Sequence, residues 1–232
     1  IKFSNKACAG PLLSSEIESL KKAMSAPEKP LVAIIGGAKV SSKLGVIESL
    51  ANSCDSIIVG GGIANTFLLA NGNSVGNSLI ETEMIEAAKR ILKLDQVYVP
   101  LPTDVVVAKE FSNEATALTK SMDQVEEDDL ILDIGPETTN AYNELIASAR
   151  TIIWNGPVGV FEIEQFSQGT AEIAKAIAAN SGYKIVGGGD TVAVIEKYGI
   201  SDSISYVSTG GGAFLEFVKN GTLDALEVLA QH

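Results

Sequence analysis

The sequence predicts an α/β protein with a doubly wound, mostly parallel sheet and helices on both of its faces. Three observations carry the prediction. Short runs rich in Val and Ile are continuously apolar rather than alternating, as strands buried on both faces are; each run ends in Gly or Pro; and segments of helical periodicity lie between them. A first helix is marked by Leu13, Ile17, Leu20 and Met24 at helical spacing behind a Ser15/Glu18 capping box, and it ends at an APEKP linker, 26–30. LVAIIGG (31–37) is the first strand, with a helix over 43–52, and SIIVGGG (56–62) the second, with a helix over 63–70. A helix over 81–92 precedes QVYVP (96–100). Segment 103–120, containing DVVVAKEF, reads as extra strands without a helix, so the sheet is mixed or carries a hairpin. LILDIGP (130–136), TIIWNGP (151–157), YKIVGGG (183–189) and ISYVSTGGG (204–212) follow, with helices over 138–149, 169–179, 191–198 and 214–220. Because crossovers are right-handed, the turns after the strands gather along one sheet edge, and the glycine clusters are expected to share one crevice.

Composition narrows the chemistry. The chain has 232 residues, 46% of them hydrophobic, enough for one large domain or two small ones. Seventeen Lys and Arg against 29 acidic residues leave a net charge of -12, which disfavours nucleic acid and anionic membranes as partners. The only histidine is His232, so there is no Ser-His-Asp triad, no HExxH zinc site and no histidine general base. Cys8 and Cys54 make neither a disulfide framework nor a metal cluster and read as buried or neutral thiols in a reducing cytosol. With no bilayer-length apolar run and no leader, a soluble, cytoplasmic protein is expected. The start at Ile1 reads as a fragment or an engineered boundary. Only two arginines occur, Arg90 and Arg150, so an anion must be held by backbone N–H groups, lysines or a metal. The acidic run 126–129 reads as a solvated loop.

Five constellations could carry chemistry. In GGAKVSSK (36–43), Gly36 and Gly37 admit a ligand to the backbone, and Lys39 and Lys43, four apart, would project from one helix face beside an N-terminus that suits a polyphosphate. A tight turn with two solvated lysines fits the same residues. In GGGDT (187–191), Asp190 is either a Mg²⁺ ligand or a helix N-cap, and Thr191 can donate its hydroxyl to a phosphate oxygen. The triplets 60–62 and 210–212 each read alone as close packing. Together with the other clusters they exceed what packing one edge requires. In WNGPVGVFE (154–162), Trp154 reads as core, the valines could cover a flat base, and Glu162 could accept hydrogen bonds from ribose hydroxyls.

GGAKVSSK, GGGIANTFL, LPTDVVVA, DIGPETT, WNGPVGVFE, GGGDTVA and VSTGGGA, in this order, resemble the C-terminal half of the phosphoglycerate kinases. The resemblance implies a Rossmann-like, three-layer nucleotide-binding domain over 31–232, preceded by an interdomain helix and linker over 1–30, in a two-domain, monomeric, hinge-closing kinase. It further implies reversible phosphoryl transfer between 1,3-bisphosphoglycerate and Mg-ADP, giving 3-phosphoglycerate and Mg-ATP in glycolysis. By position, Lys39 would lie on the nucleotide phosphates and Lys43 near the transferring group; Asp190 would bind Mg²⁺, and Thr191, Gly188 and Gly189 would hold phosphates. Glu162 would bind ribose and Asn155 lie beside the nucleotide. Gly60, Gly61, Leu132, Val158 and Val160 would surround adenine, and Gly210, Gly211 and Gly212 would supply backbone donors near the moving phosphoryl. The N-terminal domain, which carries the arginine-rich phosphoglycerate site, has no counterpart here, so this chain is expected to bind nucleotide without turnover. Leu223, Asp224 and Ala225 stand where the family has Leu-Pro-Gly, and Ser42 where many members have an acidic residue. A non-catalytic nucleotide-binding module is the alternative; a dinucleotide-dependent dehydrogenase is disfavoured because no complete G-x-G-x-x-G is present.

Overall fold

Five of the Val- and Ile-rich runs pair in parallel to form the central sheet. The computed structural model describes residues 10–24, 27–208 and 210–223. In chain order its elements are α1 (Pro11–Met24), β1 (Leu31–Ile35), α2 (Leu44–Ala51), β2 (Ser56–Val59), α3 (Gly61–Ala70), α4 (Ile85–Leu92), β3 (Asp104–Ala108), β4 (Leu118–Ser121), β5 (Leu130–Ile134), α5 (Pro136–Ser148), β6 (Thr151–Asn155), α6 (Gln168–Ala179), β7 (Tyr183–Gly187), α7 (Gly189–Lys197), β8 (Tyr206–Ser208) and α8 (Gly211–Asn220). The parallel sheet runs β2-β1-β6-β7-β8.

The continuous apolar pattern has the expected cause. Along β1, Leu31, Ala33 and Ile35 pack with Leu20, Ile47, Leu50, Phe67 and Phe217 on one face, while Val32 and Ile34 pack with Tyr142, Ile146, Ile173 and Val194 on the other. Two helical layers thus cover the sheet, and each fully buried Ile or Leu contributes about 1.5–3 kcal/mol. No helix among the described residues is long and apolar enough to cross a membrane.

Three expectations are corrected. LILDI forms β5, but it pairs antiparallel with β3 in a separate sheet of order β4-β3-β5, not in the parallel one. An apolar run records burial, not the identity of the neighbouring strand. The anticipated hairpin is β3 with β4. QVYVP makes only a parallel bridge at the sheet edge, where the Ile57 N–H donates to the Tyr98 carbonyl (2.9 Å) and the Tyr98 N–H to the Asp55 carbonyl (3.0 Å). Finally, Ser15 does not cap the first helix. The Ser14 N–H already bonds the Gly10 carbonyl (3.0 Å), so the helix begins a turn earlier, at Pro11, where a missing N–H costs nothing. Cys8, His232, Asp224, Ala225 and the side chain of Leu13 lie outside the described residues. Cys54 is buried, and burial pushes its thiol up to about 12.

Candidate functional site

Strand order locates the crevice. The chain leaves β1 for β2 on one side and returns as β6 on the other, so β1 and β6 flank a topological switch point, where ligands of open α/β sheets bind at the carboxyl ends. There the Gly36 N–H donates to the Asn155 carbonyl (2.9 Å). A Cβ on Gly36 would overlap the Pro157 carbonyl, and one on Gly156, at φ 101°, would overlap the Gly36 carbonyl. Glycine at both positions is what lets the two turns cross.

Lys43 sits just before α2 and turns back into this crossing, donating to the carbonyls of Gly36 (2.5 Å) and Asn155 (3.2 Å). Burial pulls its pKa from 10.5 down to about 8, a fall opposed by the charge of Asp190. Lys39 is exposed and does not share a helix face with Lys43. Segment 39–43 is a turn, closed by the Ser42 hydroxyl on the Lys39 carbonyl (2.7 Å) and the Lys43 N–H on the Val40 carbonyl (2.9 Å), local bonds that displace the helix. Asn155 is buried; its Nδ2 donates to the Gly187 carbonyl (2.6 Å), while Oδ1 has no hydrogen-bond partner.

The next turn opens α7. Gly188, at φ 98°, is its N-cap, and a Cβ there would stand 2.7 Å from Asn155 Nδ2. Asp190 is therefore not the cap; it is an exposed residue of the first turn. The first helical bond runs from the Val192 N–H to the Gly188 carbonyl (3.0 Å), so the N–H groups of Gly189, Asp190 and Thr191 precede the ladder and face the helix end. Thr191 departs from expectation in its side chain. Fully buried, its hydroxyl donates to the Gly187 carbonyl (2.9 Å) and accepts from the Gly156 N–H (2.7 Å), so it braces the turns and leaves only its backbone N–H for a ligand.

A second N-terminus lies alongside. Gly210 caps α8, whose first bond runs from the Phe214 N–H to the Gly210 carbonyl (2.8 Å), and a Cβ on Gly211 would lie 3.2 Å from the Gly188 Cα. Gly212 is exposed. A cavity of about 380 Å³ lies here, lined by Gly188, Gly189, Val192, Val207, Ser208 and Gly211 among others. Thr209 lies outside the described residues.

The triplet 60–62 behaves differently. At the start of α3, the Gly61 N–H is taken by the Val158 carbonyl (2.9 Å) and the Ile63 N–H by the Gly37 carbonyl (3.1 Å), so here the glycines serve close packing. Gly60 lies flush against the Val158 Cα. Gly61, Leu132 and Val158 line a narrow cavity of about 10 Å³, room for a water but not for a base. The Val160 N–H bonds the Leu132 carbonyl (2.8 Å), and Glu162 follows two residues later, exposed. Trp154 is core, its Nε1 on the Gly156 carbonyl (2.9 Å).

Three residues that sequence reasoning passed over hold this region. The Thr170 hydroxyl oxygen accepts from the N–H groups of Val158 (3.3 Å) and Gly159 (3.2 Å). Asp133, buried in β5, accepts from the N–H groups of Gly169 (2.7 Å) and Ile134 (2.9 Å), and burial raises its carboxyl to about 7. Lys197 donates to the Phe161 carbonyl (2.6 Å). The carboxylate inside LILDI was a visible signal; its partner Gly169, 36 residues away, was not.

A cavity of about 460 Å³ between α5, α6 and the antiparallel sheet has no Lys or Arg on its wall. The acidic run is not wholly solvated. Asp129 is buried and ion-paired with Lys109 (3.0 Å) and Lys120 (2.8 Å), so those ammonium groups already offset most of the cluster's charge. At the crevice, by contrast, Asp190 offers one hard oxygen ligand next to N–H donors, a set that fits Mg²⁺ shared with a phosphate.

A family model described as phosphoglycerate kinase matches residues 1–221. The solved phosphoglycerate kinase of Coxiella burnetii is 51% identical over 99% of this chain and 60% of its own, with a TM-score of 0.95. That of Pyrococcus horikoshii OT3 is 34% identical over 95% of this chain and 56% of its own, with a TM-score of 0.82. The chain thus spans no more than 60% of the length of either relative. Identity at this level over nearly the whole chain goes beyond a shared fold, and the chain belongs to the phosphoglycerate kinase family.

Proposed function

We propose that the crevice binds a Mg-nucleotide, ADP or ATP, as the nucleotide half of a phosphoglycerate kinase. The observation that carries this is the meeting, at the switch point, of the α7 and α8 N-termini with the tethered ammonium of Lys43. Phosphoryl transfer needs positioning and charge neutralisation rather than a histidine base, and this is what the residues provide. The N–H groups of residues 189–191 and 211–213 point at the place of the phosphates, and Lys43, charged at neutral pH, adds a cation held by two carbonyls. Lys39, exposed in the turn before Lys43, is free to close on the outer phosphate oxygens. Asp190 would hold Mg²⁺, which when bound spreads the phosphate charge and fixes the chain's geometry. The base lies over the mouth of the narrow cavity, against Gly60, Val158 and Val160, with ribose hydroxyls on Glu162.

In the full reaction the acyl phosphate P–O bond of 1,3-bisphosphoglycerate breaks as a terminal oxygen of ADP bonds the phosphorus, leaving 3-phosphoglycerate and ATP. On this reading the phosphoglycerate site lies in the part of the relatives' length that this chain does not span, so the chain alone binds nucleotide and does not turn over. A glycolytic, cytoplasmic, monomeric protein belongs to the same reading. Titration of the chain with Mg-ADP should show one site that Lys39→Ala and Asp190→Ala both weaken. Absence of binding by the folded chain would refute it.

A further inference from the structure

We infer that Thr170 and Lys197 are positioning residues that set segment 158–162 for the base and ribose; the inference rests on the nucleotide reading above. The segment joins β6 to α6 outside any sheet, so its backbone N–H groups have no ladder partners and need acceptors from elsewhere. Thr170, fully buried in the first turn of α6, supplies one oxygen to two of them, Val158 and Gly159, using both lone pairs. The position of that oxygen is itself fixed. The Asp133 carboxylate holds the Gly169 N–H one residue earlier, and Gly159 lies so close to the same carboxylate that a Cβ there would overlap it.

The other end is held from α7. Lys197 Nζ donates to the Phe161 carbonyl (2.6 Å) and lies 5.9 Å from the Phe161 ring centroid and 5.6 Å from that of Tyr198. Glu162 comes directly after Phe161 and is exposed, so its place is dictated by backbone that Lys197 secures. The phosphate side of the crevice has separate supports: Thr191 braces residues 156 and 187, and Lys43 binds residues 36 and 155. Base-and-ribose binding and phosphate binding therefore rest on different side chains, and a ligand without base or ribose should not respond to Thr170 or Lys197.

The test is calorimetric titration of the 232-residue chain and its variants with Mg-ADP and with Mg-tripolyphosphate, which lacks base and sugar. Thr170→Val, which leaves two buried N–H groups without an acceptor, should weaken Mg-ADP about tenfold and tripolyphosphate by less than about twofold. Thr170→Ser, which keeps the acceptor, should bind both as wild type does. Lys197→Met should weaken Mg-ADP about fivefold and leave tripolyphosphate unchanged. The inference is overturned if Lys197→Met, or a folded Thr170→Val, binds Mg-ADP within about twofold of wild type, or if tripolyphosphate weakens in proportion. If Thr170→Val does not fold, a loss of Mg-ADP affinity in Thr170→Ser equal to that in Lys197→Met overturns the role of the Thr170 oxygen. Wild type that binds tripolyphosphate as tightly as Mg-ADP refutes the nucleotide reading itself, and the inference with it.

Discussion

Replacing Lys43 with methionine separates the cost of burying its ammonium from the use made of it. Burial lowers its pKa from 10.5 to about 8, equivalent to about 3 kcal/mol of preference for the neutral amine in the fold. Between about 8 and 10.5 the unfolded chain binds the proton that the folded chain has released, so wild-type stability rises with pH across that window and the cost is present in full below it. The bonds to the carbonyls of Gly36 and Asn155 return about 1 kcal/mol each. Lys43→Met at pH 7 should therefore be as stable as wild type or up to about 2 kcal/mol more stable, a rise of a few degrees in Tm. Its stability should not climb between pH 8 and 10. Loss of a charge-assisted bond to phosphate should weaken Mg-ADP about 10- to 100-fold. Thermal melts at pH 7 and 10 together with calorimetric titration measure both. A variant that loses more than about 1 kcal/mol and keeps its Mg-ADP affinity would show that Lys43 holds the turn rather than the ligand.

Other perturbations have equally definite outcomes. Gly36→Ala drives a methyl into the Pro157 carbonyl and should cost about 3 kcal/mol in urea unfolding, with nucleotide binding lost as the two turns separate. Asp133, whose carboxyl stays protonated to about 7 in the fold, should make wild-type stability fall as pH rises from about 4 to 7; Asp133→Asn should flatten that slope in urea midpoints taken at pH 5 and 7.5. Asp190→Ala alters an exposed side chain, so Tm should stay put, while the gain in ADP affinity that wild type shows on adding Mg²⁺ should disappear in titrations with and without a chelator.

The sequence displayed the parallel sheet because β1, β2, β6 and β7 are buried on both faces, and a strand in that position leaves a continuous apolar run. It did not display partners. LILDI is as apolar as its neighbours and yet pairs antiparallel with β3, and QVYVP manages a single bridge because it lies at an edge. The glycine clusters were legible as one group, since their strands end at the same edge, although the triplet at 60–62 packs against Val158 and Gly37 while those at 187–189 and 210–212 open helix N-termini. Local hydrogen bonding undid two helical readings: Ser42 and Val40 turn the segment that was to align Lys39 with Lys43, and Gly10 starts α1 ahead of Ser15. Thr170, Asp133 and Lys197 stayed hidden because each acts on backbone distant in sequence, with no spacing rule to mark it.

Amide hydrogen exchange of the 232-residue chain, with and without Mg-ADP, tests most directly the claim that the carboxyl edge of the parallel sheet is the nucleotide site. Protection should increase at residues 189–191 and 211–213, the N–H groups that precede the α7 and α8 ladders, and along segment 158–162. Protection confined to the walls of the cavity between α5 and α6, with those N–H groups unchanged, would contradict it.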